Sequence, residues 1–344
     1  MSTGSPAAVV LAAGRSTRMK SALPKVMHEV CGRAMLAYVL DACRAAGLGR
    51  IVVVVGYGKE SVIEAFRGAR DVTFVEQREQ KGTGHAVQMA EPALRGNGGA
   101  VVVIAGDMPL VRGETLAELL ATHAREQASA AIATTVLADP AGYGRIVRDD
   151  AGEFCGIVED RDCDAGQRAI REVNPSYYCF AAGELFDALN EVRPNNAKSE
   201  YYITDVLTIL RQRGRRVIAK TSVAAEDATG VNSRAELAEI ARLMQARIQR
   251  AVMDAGVTIV SPGLTWIESG AEFGAETVIQ PLTFVGRGAR VGAGCTLGPG
   301  AVVMRGAVVP DGATVSGGDA ALATAARQMI EPWTAMVSHG GGPA

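Results

Sequence analysis

From Ile267 to Val315 an apolar residue returns at every sixth position: Ile267, Phe273, Ile279, Val285, Val291, Leu297, Val303, Val309 and Val315. Four places after each of the first eight stands a small residue: Ala271, Thr277, Thr283, Ala289, Cys295, Ala301, Ala307 and Ala313. Side chains share a face about every 3.6 residues in a helix and every 2 in a strand, so this period suits neither. It suits a chain that turns a corner every six residues and points one apolar side chain inward per side, a parallel β-helix. Glycines crowd the corners, as at Gly286, Gly288, Gly292, Gly294, Gly298 and Gly300. An unstructured glycine-rich tail would not hold nine apolar positions in phase. With three sides per coil the run makes a short stump of fewer than three coils.

The first two thirds follow another rule. Between residues 8 and 110 short apolar runs (Ala8–Leu11, Ile51–Val55, Val72–Val75, Val101–Ile104) alternate with helical patterns at Met35–Ala46, Glu60–Phe66 and Gly84–Ala93. Such alternation predicts an α/β layer structure with a mostly parallel sheet covered on both faces. Further strands are expected in "AIATTVL" and "FCGIVED", and a helix in the second part of "NNAKSEYYITDVLTIL". Residues 234–254 read as a long amphipathic helix through Leu237, Ile240, Leu243 and Met244. The expected domains are 1–230, a connecting helix at 231–256, the β-helix at 257–318, and a helical then flexible tail at 319–344.

Bulk composition removes several function classes. A net charge of −2 gives no global attraction to nucleic acid or anionic membranes, and no stretch is long and apolar enough to span a bilayer. The six cysteines form no C-x-x-C pair and there are only four histidines, so a zinc site is not expected. They read as reduced thiols, and with no basic n-region ahead of the first apolar run a cytoplasmic location is expected.

Chemistry concentrates where strands end, because ligands of open α/β sheets bind at the strands' carboxyl edge. The first strand runs into Leu11-Ala12-Ala13-Gly14 and then four cations, Arg15, Arg18, Lys20 and Lys25. A turn with free backbone N–H groups and nearby cations suits phosphate, although neither Walker A nor G-x-G-x-x-G spacing is present. A helix start with a solvated basic face is the other reading. Lys25 follows Pro24 and is placed to swing back over the loop. Asp107 follows a fully apolar strand and Gly106; it suits Mg²⁺ held with substrate phosphates, or the capping of the next helix. In "EQREQKGTGHA" Gln77 offers an amide to a base edge, and Gly82-Thr83 bring backbone close to a planar ring. His85 is expected to start a helix and pack or cap locally.

The segments "LAAGRSTRMKSALPKVM", "EQKGTGHA", "AGDMPL", "GYGRIV", "GIVED", "EVN", "SEYYITD" and "GVNSR" occur in an order that resembles the sugar-1-phosphate nucleotidylyltransferases. Within them, the chain is most similar to the N-terminal half of the bifunctional uridylyltransferase–acetyltransferases. The resemblance runs from residue 8 to about 315. It implies a Rossmann-like nucleotide-diphospho-sugar transferase fold followed by a left-handed β-helix. It implies a nucleotide loop at Leu11, Ala12, Ala13 and Gly14, phosphate-binding and catalytic cations at Arg18 and Lys25, and uracil recognition at Gln77, Gly82 and Thr83. It implies sugar contacts at Gly144, Glu159, Asn174, Tyr202 and Thr204, and Mg²⁺ ligands at Asp107 and Asn232. The implied reaction joins UTP and N-acetylglucosamine 1-phosphate into UDP-N-acetylglucosamine with release of pyrophosphate. Another sugar 1-phosphate such as glucose 1-phosphate, or a non-catalytic assembly role, are the alternatives. The nucleophile is already anionic, so positioning and charge neutralisation suffice and no strong base is required. Partners are small molecules, with no nucleic acid or membrane, and the β-helix suits self-assembly into a homo-oligomer, a trimer or another closed form.

Three departures stand out. The family loop usually carries a second glycine where this chain has Ser16, a strained choice only if that backbone has positive φ. After Asn174 the family usually has Thr-Gly or Ala-Gly, and this chain has Pro175-Ser176. The repeat also stops near Val315, so acetyltransferase activity is not expected and a naturally short relative is favoured over a truncation.

Overall fold

The computed structural model describes residues 4–96, 98–196 and 199–317. The chain forms two compact units: the stretch up to His28 with Ala34–Ile240, and Glu29–Arg33 with the chain from Ala241 onward. The long helix Arg234–Asp254 is continuous, and its residues up to Ile240 belong to the first unit while the rest belong to the second.

The first unit is built on nine strands: β1 (Ala7–Ala12), β2 (Arg50–Val55), β3 (Val72–Glu76), β4 (Ala100–Ala105), β5 (Ala130–Val136), β6 (Gly144–Arg148), β7 (Phe154–Val158), β8 (Glu172–Ala181) and β9 (Val217–Thr221). The main order is β9-β5-β8-β4-β1-β2-β3, with β6 and β7 branching from β8. Strands β1, β2, β3 and β4 are mutually parallel, as is β9 with β5. The strand β8 runs antiparallel to β4, β5 and β6. The apolar runs of the central strands feed two cores. Val9, Val52, Val54, Val101 and Val103 face one, and Ala8, Val10, Ile51, Val53, Val102 and Ile104 face the other. A strand apolar on both faces must lie between two helical layers. At about 1.5–3 kcal/mol per buried Val or Ile, this double burial fixes the sheet's interior and puts Gly14, Gly56 and Gly106 at its carboxyl edge.

The sequence reading placed no strand over residues 172–181, yet β8 is the longest in the sheet. Its pairing with β5 shifts register between Val173 and Tyr177. Pro175 cannot donate to a ladder and Ser176 has φ +68°, so the strand is hidden behind its own irregularity.

In the second unit two-residue strands stack in three parallel sheets. Trp266 lies beside Phe284 and then Val302, Glu272 beside Arg290 and Val308, and Val278 beside Thr296 and Thr314. The in-phase residues point inward and all are buried except Phe273, which is partly so. Ile248 and Val252 of the long helix pack on this core. The tail expected at 319–344 lies outside the described residues.

Glu29–Arg33 joins this unit through side chains. The Cys31 carbonyl accepts from Ser269 N (2.8 Å), and Gln245 Nε2 donates to Cys31 Sγ (3.2 Å). Arg305 forks onto Glu268 with two bonds of 2.6 Å and reaches Glu29 at 3.1 Å. Glu268 is 5% exposed. Burial alone would raise its pKa, but the Arg305 fork and the Arg287 N–H together hold it below the usual carboxylate value. A depressed folded pKa stabilises above the unfolded value of about 4.3 and loses that contribution as pH falls through the folded value. Glu268→Gln is therefore expected to cost about 2 kcal/mol at neutral pH, discounted because Arg305 is partly exposed. Denaturant melts of wild type and variant should converge as the pH drops below about 4. Parallel curves across that range would show that the charge contributes nothing.

Candidate nucleotide and sugar site

β1 ends at Ala12 and its loop is pinned from both sides. Leu11 O accepts from Gly106 N (2.9 Å), and Ala13 O accepts from Tyr57 N (3.2 Å) and Gln80 Nε2 (2.8 Å). Gln80 Oε1 also accepts from Arg15 N at 3.4 Å, so one side-chain amide spans both flanks of Gly14. The Arg15 guanidinium sits 5.2 Å over the Tyr57 ring. Of the cations after Gly14, Arg18 lines the main cavity. Ser16 has φ −86°, ordinary extended backbone, so serine carries no steric cost there. Its hydroxyl donates to Asn232 O at 3.3 Å.

Lys25 opens a short turn after Pro24 and its ammonium does two things at once. It forms an ion pair with Asp107 Oδ2 and donates to Asn232 Oδ1 at 3.0 Å. The Lys25 and Asp107 side chains are 16% and 14% exposed. The backbone brings the oxygens together, because Val231 N donates to Asp107 O at 3.0 Å. Asn232 is fixed in turn by Glu236, whose carboxylate accepts from Asn232 N (2.5 Å) and Ser233 N (2.9 Å), while Ser233 Oγ accepts from Glu236 N (3.2 Å). Ser233-x-x-Glu236 is a capping-box pattern readable in the sequence, and the sequence reading overlooked it. A carboxylate and an amide oxygen that share one cation are hard oxygen donors of the type that hold Mg²⁺.

The "EQKGTGHA" loop docks on residues 201–203. Gly84 N donates to Tyr201 O and Tyr201 N to Lys81 O, both at 2.7 Å, and Ile203 N donates to Thr83 Oγ1 at 3.1 Å. Gln77 is buried, and its Nε2 reaches both Gly82 O and His85 Nδ1 at 3.0 Å. This requires an unprotonated Nδ1 on His85. Burial and, secondarily, the Lys81 charge keep that imidazole's pKa below its ordinary value. His85 thus does more than start a helix: it holds the Gln77 amide.

A cavity of about 730 Å³ opens beside these elements. Arg18, Thr83, Asp107, Gly144, Glu159, Asn174, Tyr202, Thr204 and Asn232 all line it. Leu11, Ala12, Ala13, Gly14, Lys25, Gln77 and Gly82 are not among its lining residues; they flank it at the sheet edge. Gly144 pairs with Asn174 across β6 and β8, where a Cβ would lie 2.7 Å from Ile157 Cγ2. Tyr143, Ser176, Tyr178 and Glu236 also line the cavity, and none carries a role in the sequence reading.

The chain is similar to several known proteins. The family described as MobA-like NTP transferase domain matches residues 8–255. The bifunctional protein GlmU of Heliobacterium modesticaldum is 47% identical over 278 residues, covering 81% of this chain and 60% of that protein. GlmU of Pelotomaculum thermopropionicum is 46% identical over 277 residues, covering 80% of this chain and 60% of that protein. The chain thus spans about 60% of the length of these relatives. A solved UDP-glucose pyrophosphorylase in complex with UDP-glucose shares the fold, with TM-score 0.59, 22% identity, and coverage of 71% of this chain and 100% of that one. Among the described residues no helix is long and apolar enough to cross a membrane. With a family match over residues 8–255 and relatives at nearly half identity, the chain belongs to the MobA-like NTP transferase family.

Proposed function

We propose that the protein is an Mg²⁺-dependent uridylyltransferase that joins UTP and N-acetylglucosamine 1-phosphate to give UDP-N-acetylglucosamine and pyrophosphate. One observation carries this reading. The cation-sharing pair Asp107 and Asn232 and the cation Arg18 line the same cavity as Gly144, Glu159, Asn174, Tyr202 and Thr204. Phosphate chemistry and a polar sugar-sized space are thereby adjacent.

The chain's residues divide the work. Gln77 has its Nε2 committed to Gly82 O and His85 Nδ1, so Oε1 is left to accept from a base, which fits the imide N–H of uracil. Backbone N–H groups after Gly14, with Arg18, receive the triphosphate. Lys25, held beside them by Asp107 and Asn232, would serve the phosphate oxygens as a further cation. Asp107 and Asn232 would hold Mg²⁺, which would supply charge neutralisation at the phosphate oxygens. Gly144, Glu159, Asn174, Tyr202 and Thr204 hold the sugar so that its phosphate oxygen faces the α-phosphorus, with pyrophosphate opposite. The attacking oxygen carries its own charge, so orientation and electrostatics account for the catalysis.

Pyrophosphate release measured across four nucleoside triphosphates and a panel of sugar 1-phosphates tests the proposal. UTP with N-acetylglucosamine 1-phosphate should exceed every other pair in kcat/KM by about tenfold or more, the scale set by buried polar contacts. An equal or higher value for another pair removes the substrate assignment.

A further inference from the structure

Asn232 stands where several parts of the chain meet. Glu236, in the first turn of the long helix, accepts from its N–H at 2.5 Å. Lys25 donates to its Oδ1 at 3.0 Å, and the Ser16 hydroxyl donates to its carbonyl oxygen at 3.3 Å. Beside it, Val231 N donates to Asp107 O at 3.0 Å. An ammonium only donates, so the amide oxygen of Asn232 must be the atom on the side it shares with Asp107.

Ser16 is the unexpected member of this set. It occupies the N-cap position of the short turn Thr17–Met19, where a serine ordinarily aims its hydroxyl at its own turn. Here it makes no cap bond, and the hydroxyl reaches across 216 residues to Asn232. A second bond follows the same course, because Arg234 Nε donates to Met19 O at 3.1 Å across 215 residues. Two bonds, one at each end of the turn, thus strap residues 16–19 to residues 232–234. Between the two bonds sits Arg18, which lines the same cavity as Asp107 and Asn232. None of the roles above uses this strap.

A single bond leaves a turn free to pivot about it, and two bonds far apart on the turn do not. The turn that carries a phosphate-binding cation and the segment that carries a metal oxygen are therefore held as one piece. A triphosphate that orders Arg18 orders Asn232 at the same time, and a cation arriving afterwards meets oxygens already in place. Less conformational freedom is lost in the second binding step than in the first, which is positive cooperativity.

We propose that Ser16 and Arg234 are positioning residues for Asn232, and that their strap makes the phosphates of the nucleotide and the divalent cation bind cooperatively. The proposal rests on the reading of Asp107 and Asn232 as Mg²⁺ ligands, and it names the contacts that join the two halves of that site.

Ser16→Ala removes the hydroxyl at a backbone of φ −86°, which alanine adopts without strain, and there is no cap bond to lose. Arg234→Met keeps an apolar stem and removes the Nε donor. UTP is titrated calorimetrically with and without Mg²⁺, and no sugar phosphate is present, so nothing turns over. The quotient of the two dissociation constants is the coupling factor. Mg²⁺ also binds UTP in solution, a contribution common to every variant that cancels on comparison with wild type. Each substitution is expected to lower the factor about three- to tenfold, the scale of one hydrogen bond, and to leave the metal-free constant within about twofold. An unchanged factor, or an equal weakening with and without metal, overturns the proposal.

Backbone hydrogen exchange of the unliganded protein reads the strap without any ligand. The amides of Val231, Asn232 and Ser233 should exchange about three- to tenfold faster in Ser16→Ala, because their local opening becomes easier. If wild type binds UTP equally with and without Mg²⁺, or not at all, the metal reading fails on its own, and exchange decides whether the strap positions Asn232. Faster exchange at these three amides then supports the positioning role, and equal exchange overturns it.

Discussion

Asp107→Asn is expected to lower kcat by about two to three orders of magnitude, the usual cost of removing a preorganised electrostatic group from a reacting phosphate or carbonyl. The substitution preserves size and the backbone bond from Val231 N to Asp107 O, so the loop should keep its path. What is removed is the formal negative charge of the Asp107–Asn232 pair. Lys25 loses an ion pair made by two side chains at 16% and 14% exposure and keeps only its bond to Asn232 Oδ1. A thermal melt should therefore show only a modest loss, about 1–2 kcal/mol. The metal concentration at half-maximal rate should rise alongside the fall in kcat. Full turnover with an unchanged metal dependence would remove Asp107 from the reaction.

Gly82→Ala is the second large effect, and its cause is steric. Gly82 has φ +110°, and a Cβ there would lie 2.5 Å from Tyr201 O and 2.8 Å from Tyr201 N. Both are backbone atoms that cannot rotate away. The loop must shift, and the same movement breaks Gly84 N to Tyr201 O, Tyr201 N to Lys81 O, and Gln77 Nε2 to Gly82 O. Strain and overpacking together should cost about 2–4 kcal/mol of stability. With its amide released, Gln77 no longer presents a fixed acceptor, and KM for UTP should rise by about tenfold or more. Calorimetric unfolding and a UTP titration check the two effects separately. A variant with wild-type melting temperature and wild-type KM would mean that the loop does not read the base.

Several features were legible because each is dictated by local pattern. The six-residue period predicted the inward positions of the β-helix, and doubly apolar runs such as Ile51–Val55 predicted central parallel strands. The position of Asp107 after such a run predicted a sheet-edge carboxylate. Contacts made by side chains distant in sequence were not legible. Nothing local to Lys25 indicates that its ammonium lies between Asp107 and Asn232, because that depends on the path of residues 230–236. Gln80 spanning the Gly14 loop and His85 holding Gln77 depend likewise on the loops' relative placement. The strand Glu172–Ala181 was obscured by Pro175-Ser176, whose irregularity breaks the alternation that identifies strands. The question raised by Ser16 needed a dihedral angle, and its extended backbone removes the strain that serine in place of glycine suggested.

The short stretch Glu29–Arg33 has a consequence in time as well as in space. It leaves the ribosome between β1 and the helix that begins at Met35, yet its contacts lie far down the chain. Glu29 meets Arg305 across a sequence separation of 276 residues, and Cys31 meets Gln245 across 214. At about 5–20 residues per second of synthesis, those contacts wait many seconds for their partners to emerge. Long-range closure is the slow part of folding. The second unit is therefore completed by a stretch made more than 200 residues ahead of its partners.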